Sequence, residues 1–421
     1  MLKILLFFIC FEFAFSLDAT MEIVKNKSTL PTISVVAATD SNKENALDQK
    51  LMKLIQKDLQ VSCHFNDATV SIDSEFIERP KYKLLSENGI DLYLVFKIDI
   101  NEEKKYIVDV KLYDVNSNSL VLNKTYTTIS YARYPFIAHK IAIDVNKHLN
   151  APSIQWMDNF VIFSRYLDSK TSEIVISDYT LTYQKVVVKG GLNIFPKWAS
   201  KKQDAFYYTS YRGTIPSLKK QNLYTSEVET LLTSDGMIVC SDVSDDGKKL
   251  VLTMAPNSQP DIYVYNTETK LKKRITTYSG IDVGGSFVEN DQKIVFISDR
   301  LKYPNIFAKK IDQNGVERLI YHGRNNSQAT TYDDFIVYAS RETDNEFGSN
   351  VFNLYLISTK SDYVRRLTTN GRNQFPKFSS NGESILFIKT ANRSYLGIIR
   401  MNYNKSFLFP LKSGKLQSID W

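Results

Sequence analysis

Phe160-Val161-Ile162-Phe163, Ala205-Phe206-Tyr207-Tyr208, Leu250-Val251-Leu252-Thr253, Ile294-Val295-Phe296-Ile297, Phe335-Ile336-Val337-Tyr338 and Ile385-Leu386-Phe387-Ile388 are six copies of one short apolar run. Successive copies begin 45, 45, 44, 41 and 50 residues apart. A repeating unit of about 40–45 residues that holds four short strands is the size of one β-propeller blade. The spacing predicts a six-bladed propeller over 151–421. Such a platform presents loops on two faces around a central channel, which argues for binding before catalysis.

The rest of each unit reads as three more strands. An inner strand precedes a tight turn, supplied by Asp245-Asp246-Gly247, Asn290-Asp291 and Asn381-Gly382. These residues tolerate the positive φ or Asx geometry that hairpins need. The apolar run is the second strand. Ile262-Tyr263-Val264-Tyr265, Leu223-Tyr224, Ile306-Phe307 and Leu354-Tyr355-Leu356 read as third strands. Arg274-Ile275-Thr276, Arg366-Leu367-Thr368 and Arg318-Leu319-Ile320 mark the fourth. Inner strands end on a Pro-x-aromatic pattern in Phe195-Pro196-Lys197-Trp198 and Phe375-Pro376-Lys377-Phe378. Gln417-Ser418-Ile419-Asp420-Trp421 fits the same register, and the first unit has little room for an inner strand of its own. The C-terminal strand is therefore expected to complete the first blade, which removes the free sheet edges of an open array.

Upstream, the pattern changes. Ile33 to Ala37 reads as a buried strand. Ser41-Asn42-Lys43-Glu44 is a capping box, followed by a helix with Leu47, Leu51, Leu54, Ile55 and Leu59 on one face. Asp91 to Ile98 is a strand. Tyr106 to Tyr113 alternates, with Ser119 to Thr127 as its hairpin partner. A second helix covers 133–149, with Ile137, Ile141, Val145 and Leu149 at four-residue steps. The order β-α-β-β-β-α predicts an α/β domain over 31–150, with two helices on a mixed sheet. The protein as a whole is expected to be mainly β.

The first sixteen residues read as a signal peptide. A basic start at Lys3 is followed by the apolar stretch Ile4 to Phe11 and a small-x-small site at Ala14-Phe15-Ser16. That stretch is too short to remain as a membrane anchor, so an exported, soluble product is expected. Residues 17–30 then form a short, strand-like N-terminal extension. Two cysteines follow the cleavage site, Cys63 and Cys240, read as buried free thiols in separate domains. With 43% hydrophobic and 24% charged residues, the chain has the composition of a folded protein. A net charge of +7 with scattered Lys and Arg gives no block able to track a phosphate backbone, so no nucleic-acid partner is expected.

No catalytic motif emerges. There is no Gly-x-Ser-x-Gly elbow, and Gly284-Gly285-Ser286-Phe287 lacks its frame. Gly-rich nucleotide loops and His-Glu-x-x-His are absent. Of the four histidines, His139 and His148 lie nine apart on one helix and cannot share a metal. The Asp and Asn turns follow hairpin spacing, not that of a metal loop. Tyr and Phe at alternating strand positions read as blade-to-blade core. No catalytic residue, metal or cofactor is expected.

Taken together, these features resemble the TolB family, periplasmic components of the Tol-Pal envelope system of Gram-negative bacteria. Leu17 to Lys27 resembles its N-terminal extension. Asn88-Gly89-Ile90-Asp91-Leu92-Tyr93-Leu94-Val95 is similar to its Leu-Gly-Ile-Asp strand. Asp245-Asp246-Gly247-Lys248-Lys249-Leu250 and Phe296-Ile297-Ser298-Asp299-Arg300 are similar to its blade motifs. The resemblance implies a non-enzymatic, monomeric adaptor in the periplasm that reaches membranes only through its partners and supports outer-membrane integrity and constriction during division. It implies that the propeller binds the lipoprotein Pal at one channel mouth. The extension, through Leu17, Asp18, Ala19, Thr20, Met21, Glu22, Ile23 and Val24, would engage TolA. An exported propeller that binds a small ligand or glycan in its channel is the alternative reading.

The Pal-facing mouth would be lined by loops that join each outer strand to the next inner strand: Gly191 to Ile194, Asp235 to Val239, Ser279 to Val283, Arg324 to Gln328 and Asn370 to Gln374. Within them Asn193, Met237, Asp282, Asn326, Arg372 and Asn373 are the candidate contacts. Met237 stands where relatives often place a polar or ring side chain. Tyr332-Asp333-Asp334 replaces the Asp-Gly turn of the fifth unit, so an irregular fifth blade is expected.

Overall fold

The computed structural model describes residues 30–40, 46–341 and 351–421. The signal peptide, the capping box at 41–44 and all of the N-terminal extension but its last residue lie outside the described residues.

The first domain is built on a five-stranded mixed sheet of order β2-β1-β3-β4-β5. Its elements are β1 (Thr32–Ala37), α1 (Leu47–Ser62), β2 (Asn66–Asp67), α2 (Tyr82–Glu87), β3 (Leu92–Ile100), β4 (Tyr106–Asp114), β5 (Ser119–Thr128) and α3 (Tyr134–His148). β1 runs parallel to β2 and β3, and β3-β4-β5 is an antiparallel meander. The apolar stripe of α1 (Leu47, Leu51, Leu54, Ile55, Leu59) packs with Ile137, Ile141 and Val145 of α3 on Leu94, Phe96, Val108 and Val110 of the sheet. β2 and α2 are additions to the elements expected from the sequence. They belong to a polar stretch whose few apolar side chains, Ile72, Phe76, Tyr82 and Leu85, cover Tyr93 and Val95 on the other sheet face.

From Val161 onward the strands form six four-stranded antiparallel units. The first combines Lys415–Asp420 with Val161–Tyr166, Ser172–Ser177 and Gln184–Val188. The second is Asn193–Trp198, Ala205–Ser210, Ser217–Asn222 and Val228–Thr233; the third is Ile238–Val243, Lys249–Met254, Asp261–Asn266 and Lys272–Arg274. The fourth is Asp282–Val288, Lys293–Ser298, Asn305–Lys310 and Glu317–Arg318. Arg324–Tyr332, Phe335–Arg341, Phe352–Ser358 and Ser361–Arg366 make the fifth. Arg372–Phe378, Ser384–Thr390, Ser394–Arg400 and Lys405–Pro410 make the sixth. The six apolar runs fall in the second strands, Phe160 just before its own, and are buried on both faces except at the half-buried Phe160 and Phe335. The C-terminal strand pairs with Val161–Tyr166 and closes the ring.

Several details differ from the sequence reading. The third strand of blade 2 is Ser217–Asn222, and Leu223-Tyr224 lies in the turn after it. This strand is polar because it buries only Leu218 and Gln221, and Gln221 donates to the Val187 carbonyl of blade 1. The segments expected as mouth loops already contain the first residues of inner strands, so the true connections begin further upstream, at 189–192, 234–237, 275–281, 319–323 and 367–371. Each inner strand carries a bulge against its second strand. The fifth carries two register shifts, the form its irregularity takes. Gly284-Gly285 is such a bulge: Gly284 has φ 65°, and a Cβ on Gly285 would meet Val251 Cγ1 at 2.5 Å.

Candidate functional site: the channel mouth and the domain seam

Antiparallel order fixes which loops share a face. The outer-to-inner connections and the second-to-third connections open on one face, the mouth. Turns between inner and second strands and between third and outer strands open on the other, where the α/β domain sits.

The Arg-apolar-Thr signature builds the mouth. Arg274, Arg318 and Arg366 each end an outer strand, and each donates its Nε–H to the carbonyl two residues on, at 2.9, 2.7 and 2.9 Å. Thr276 and Thr368 then accept the N–H of Ile262 and Leu354 from the third strand. The residue after the arginine is buried at Ile275 and half-buried at Leu319 and Leu367, and Ile320, which takes the threonine's place in the looser copy, is buried. Every connection of this kind is thus pinned to its own blade before it reaches the next.

The candidates Asn193, Asn326 and Asn373 complete that pinning. Each is at most 2% exposed. Their Nδ2–H groups donate back to the carbonyls of Gly190, His322 and Asn370. Asn326 and Asn373 also donate to Asn305 and Asn353 of the preceding blade, while the backbone N–H of Asn193 donates to Ser172 Oγ. Asp282 is fully buried, 3.1 Å from Arg300 Nη2 through both oxygens. Arg300 is itself stacked on Tyr278, Phe296 and Phe307. Asn326 and Asn373 staple one blade to the next, Asn193 pins the connection before it, and Asp282 is locked within blade 4; none of the four presents a surface to a partner. Among the six candidates, Arg372 is exposed and Met237 half-buried. Sequence reading missed Arg212, Arg393, Tyr303 and Tyr321, which stand exposed on the same face. They lie in connections whose faces become legible only once strand order is known.

Below the mouth, the bulges turn charged residues into the channel. Lys197 Nζ lies 3.0 Å from Asp420 and 3.2 Å from Asp242. Burial opposes its charge, but the two carboxylates outweigh that and hold the lysine protonated. Asp420 also accepts the Trp198 N–H, and Asp242 the Phe287 N–H, so blades 1 to 4 are linked through these side chains. Burial, aided by Lys197, pushes the Lys377 ammonium below its ordinary value.

On the opposite face the α/β domain docks on blades 1 and 6. His139 of α3 is fully buried between Asp58 of α1 at 2.8 Å and Asp178 of blade 1 at 3.4 Å, and the Tyr179 hydroxyl donates to Asp58. Burial works against a cationic imidazole, yet the carboxylates prevail and raise His139 to about 10. Burial also raises Asp58. At blade 6, Arg400 is fully buried and donates to the Ser62 carbonyl at the C-terminus of α1, where the helix dipole favours a cation. His64 meets the Tyr403 hydroxyl at 2.7 Å. Beside the seam a cleft of about 380 Å³ is lined by Tyr126, Arg133, Phe136, Lys140, Asp158 and Tyr224, among others. Cys63 and Cys240 are both buried and unbonded to one another. No helix among the described residues is long and apolar enough to cross a membrane.

Comparison with known proteins covers both domains. The model of the TolB amino-terminal domain matches residues 19–121, and that of the TolB beta propeller domain matches residues 159–421. The Tol-Pal system protein TolB of Wolinella succinogenes is 50% identical over 411 residues, covering 97% of each chain. That of Helicobacter hepaticus is 48% identical over 413 residues, covering 97% of this chain and 96% of the relative. The crystal structure of TolB from Acinetobacter baumannii superposes with a TM-score of 0.77 at 20% identity, over 93% of this chain and 96% of that one, a likeness of fold.

Proposed function

The chain belongs to the TolB family of the Tol-Pal system, and from that premise we propose that it is a non-enzymatic periplasmic adaptor. In this reading the propeller mouth binds a Pal-like peptidoglycan-associated lipoprotein, and the extension from Leu17 to Val24 engages TolA. The two activities support outer-membrane integrity and constriction at division. The observation that carries the reading is the placement of the two ends. The mouth faces away from the α/β domain, and blades 1 and 6, which seat that domain, also contribute to the mouth. A change in how the domain sits therefore reaches the mouth through two continuous sheets. The cleft at the seam, with aromatic walls and the cations Arg133 and Lys140, suits an extension that carries Asp18, Met21, Glu22 and Ile23. Arg372 and Met237 are the proposed mouth contacts that remain accessible.

Titration calorimetry of the mature chain with the same organism's Pal periplasmic domain tests this. Saturable binding, weakened in an Arg372→Ala/Met237→Ala variant of unchanged thermal midpoint, is expected. No binding at high concentration of either partner overturns the reading.

A further inference from the structure

The exposed cations of the propeller are paired to different extents on its two faces. On the mouth, Arg372, Arg393, Lys412, Lys170, Lys189 and Arg212 are exposed and form a continuous arc over blades 6, 1 and 2. No carboxylate of the described residues lies within ion-pair distance of any of the six. Arg372 and Arg393 bond instead to Gln374 and the Tyr395 hydroxyl. Two exposed carboxylates stand on the mouth loops of these blades: Asp168 is turned onto its own loop, where it accepts the N–H groups of Lys170 and Thr171, and Asp235 lies beyond Arg212, in the connection to blade 3. Across the channel, on blade 4 and its exit to blade 5, the rim exposes large apolar side chains: Ile281, Leu301, Tyr303 and Tyr321 are 47%, 48%, 51% and 77% exposed, with Lys302 and His322 exposed among them. The fifth-blade connection 342–350, which carries Glu342, Asp344 and Glu346, lies outside the described residues.

The opposite face is arranged differently. There Lys201 pairs with Asp245, Lys248 with Glu268 and Lys273 with Asp312, each within 2.9 Å. Cations that fold onto local carboxylates are neutralised by them. An arc of six that do not is a surface with a net field, and that field draws an oppositely charged partner from a distance of about one Debye length, ~8–10 Å at ordinary ionic strength. Exposed aromatic and aliphatic side chains beside it provide the apolar anchor that interfaces concentrate at their centres.

We propose that the mouth of this protein recognises an acidic protein face that carries an apolar projection: the acidic residues meet the arc on blades 6, 1 and 2, and the projection seats on the blade 4 rim. This rests on the adaptor reading above and names the surface its lipoprotein partner must present. The partner's orientation on the propeller is set by the two halves of the rim.

The test is calorimetry of the mature chain with the Pal periplasmic domain at about 50 mM and about 500 mM NaCl, where screening removes most of the steering field. An Arg212→Glu/Arg393→Glu/Lys412→Glu variant and a Lys270→Glu control on the opposite face run beside it. A Kd that weakens at least about tenfold with salt is expected, together with loss of that salt dependence in the triple variant alone. Binding that ignores both salt and the three reversals overturns this proposal and leaves the adaptor reading standing. Absence of binding at either salt overturns both. Sedimentation with phosphatidylglycerol–phosphatidylcholine vesicles forms a further arm. Capture that the reversals abolish, with lipoprotein binding untouched, assigns the arc to a lipid surface and also overturns the proposal.

Discussion

Asp420 and Lys197 tie the strand that closes the ring to the blade beside it: the carboxylate receives the lysine ammonium at 3.0 Å and the neighbouring Trp198 N–H at 2.9 Å. Lys197 keeps Asp242 as its other partner, so its charge is shared across three inner strands. Asp420→Ala leaves a buried ammonium half-compensated and a buried N–H unpaired. A loss of about 3–5 kcal/mol in urea unfolding is expected. Asp420→Asn, which can still accept the N–H, should lose less. Equal losses for both variants would remove the N–H bond from the account.

The pH dependence of stability should report His139. Its pKa lies near 10 in the fold, against an ordinary histidine value of about 6.5 in the unfolded chain. The folded state binds the extra proton, so this contribution is complete below about pH 6.5 and disappears as pH rises towards 10. Thermal midpoints of the native chain should fall over that window relative to those of His139→Gln. Parallel profiles would contradict a cationic imidazole between Asp58 and Asp178.

Two adjacent residues at the mouth should behave in opposite ways. Asn373→Ala strips the staple from Asn353 and from the Asn370 carbonyl, and a loss of about 1–3 kcal/mol in stability is expected. Arg372→Ala removes an exposed side chain and should leave the unfolding midpoint within about 0.5 kcal/mol of the native value while it weakens lipoprotein binding. Comparison of denaturation with calorimetry for the two variants separates scaffold from contact.

Deletion of residues 17–28 should abolish TolA binding and leave the unfolding curve unchanged, because the strand order of the described sheet is complete from Thr32 onward. Retained TolA binding would move that contact elsewhere on the chain.

Much of this architecture is legible in the sequence, for a physical reason. Strands buried on both faces must be continuously apolar, so the six second strands announce themselves, and the closing strand repeats the register of its counterparts. The α/β domain follows from the periodicity of α1 and α3 in the same way. The site is less legible. An asparagine in a loop and an asparagine that pins a loop have the same local sequence, and only the bulged inner strand decides that Asn193, Asn326 and Asn373 point inward. His139 looks like one more histidine on a helix because its partners, Asp58 and Asp178, lie 81 and 39 residues away. The mouth arc is invisible for the same reason, since its six cations are gathered from five separate connections and the start of a strand.

The α/β domain straddles the joint of blade 6 with blade 1, the blade whose closing pair unites strands from opposite ends of the propeller sequence. Arg400 grips α1 from one side of that joint and Asp178 holds α3 from the other. The domain therefore acts as a clasp over the ring's buckle.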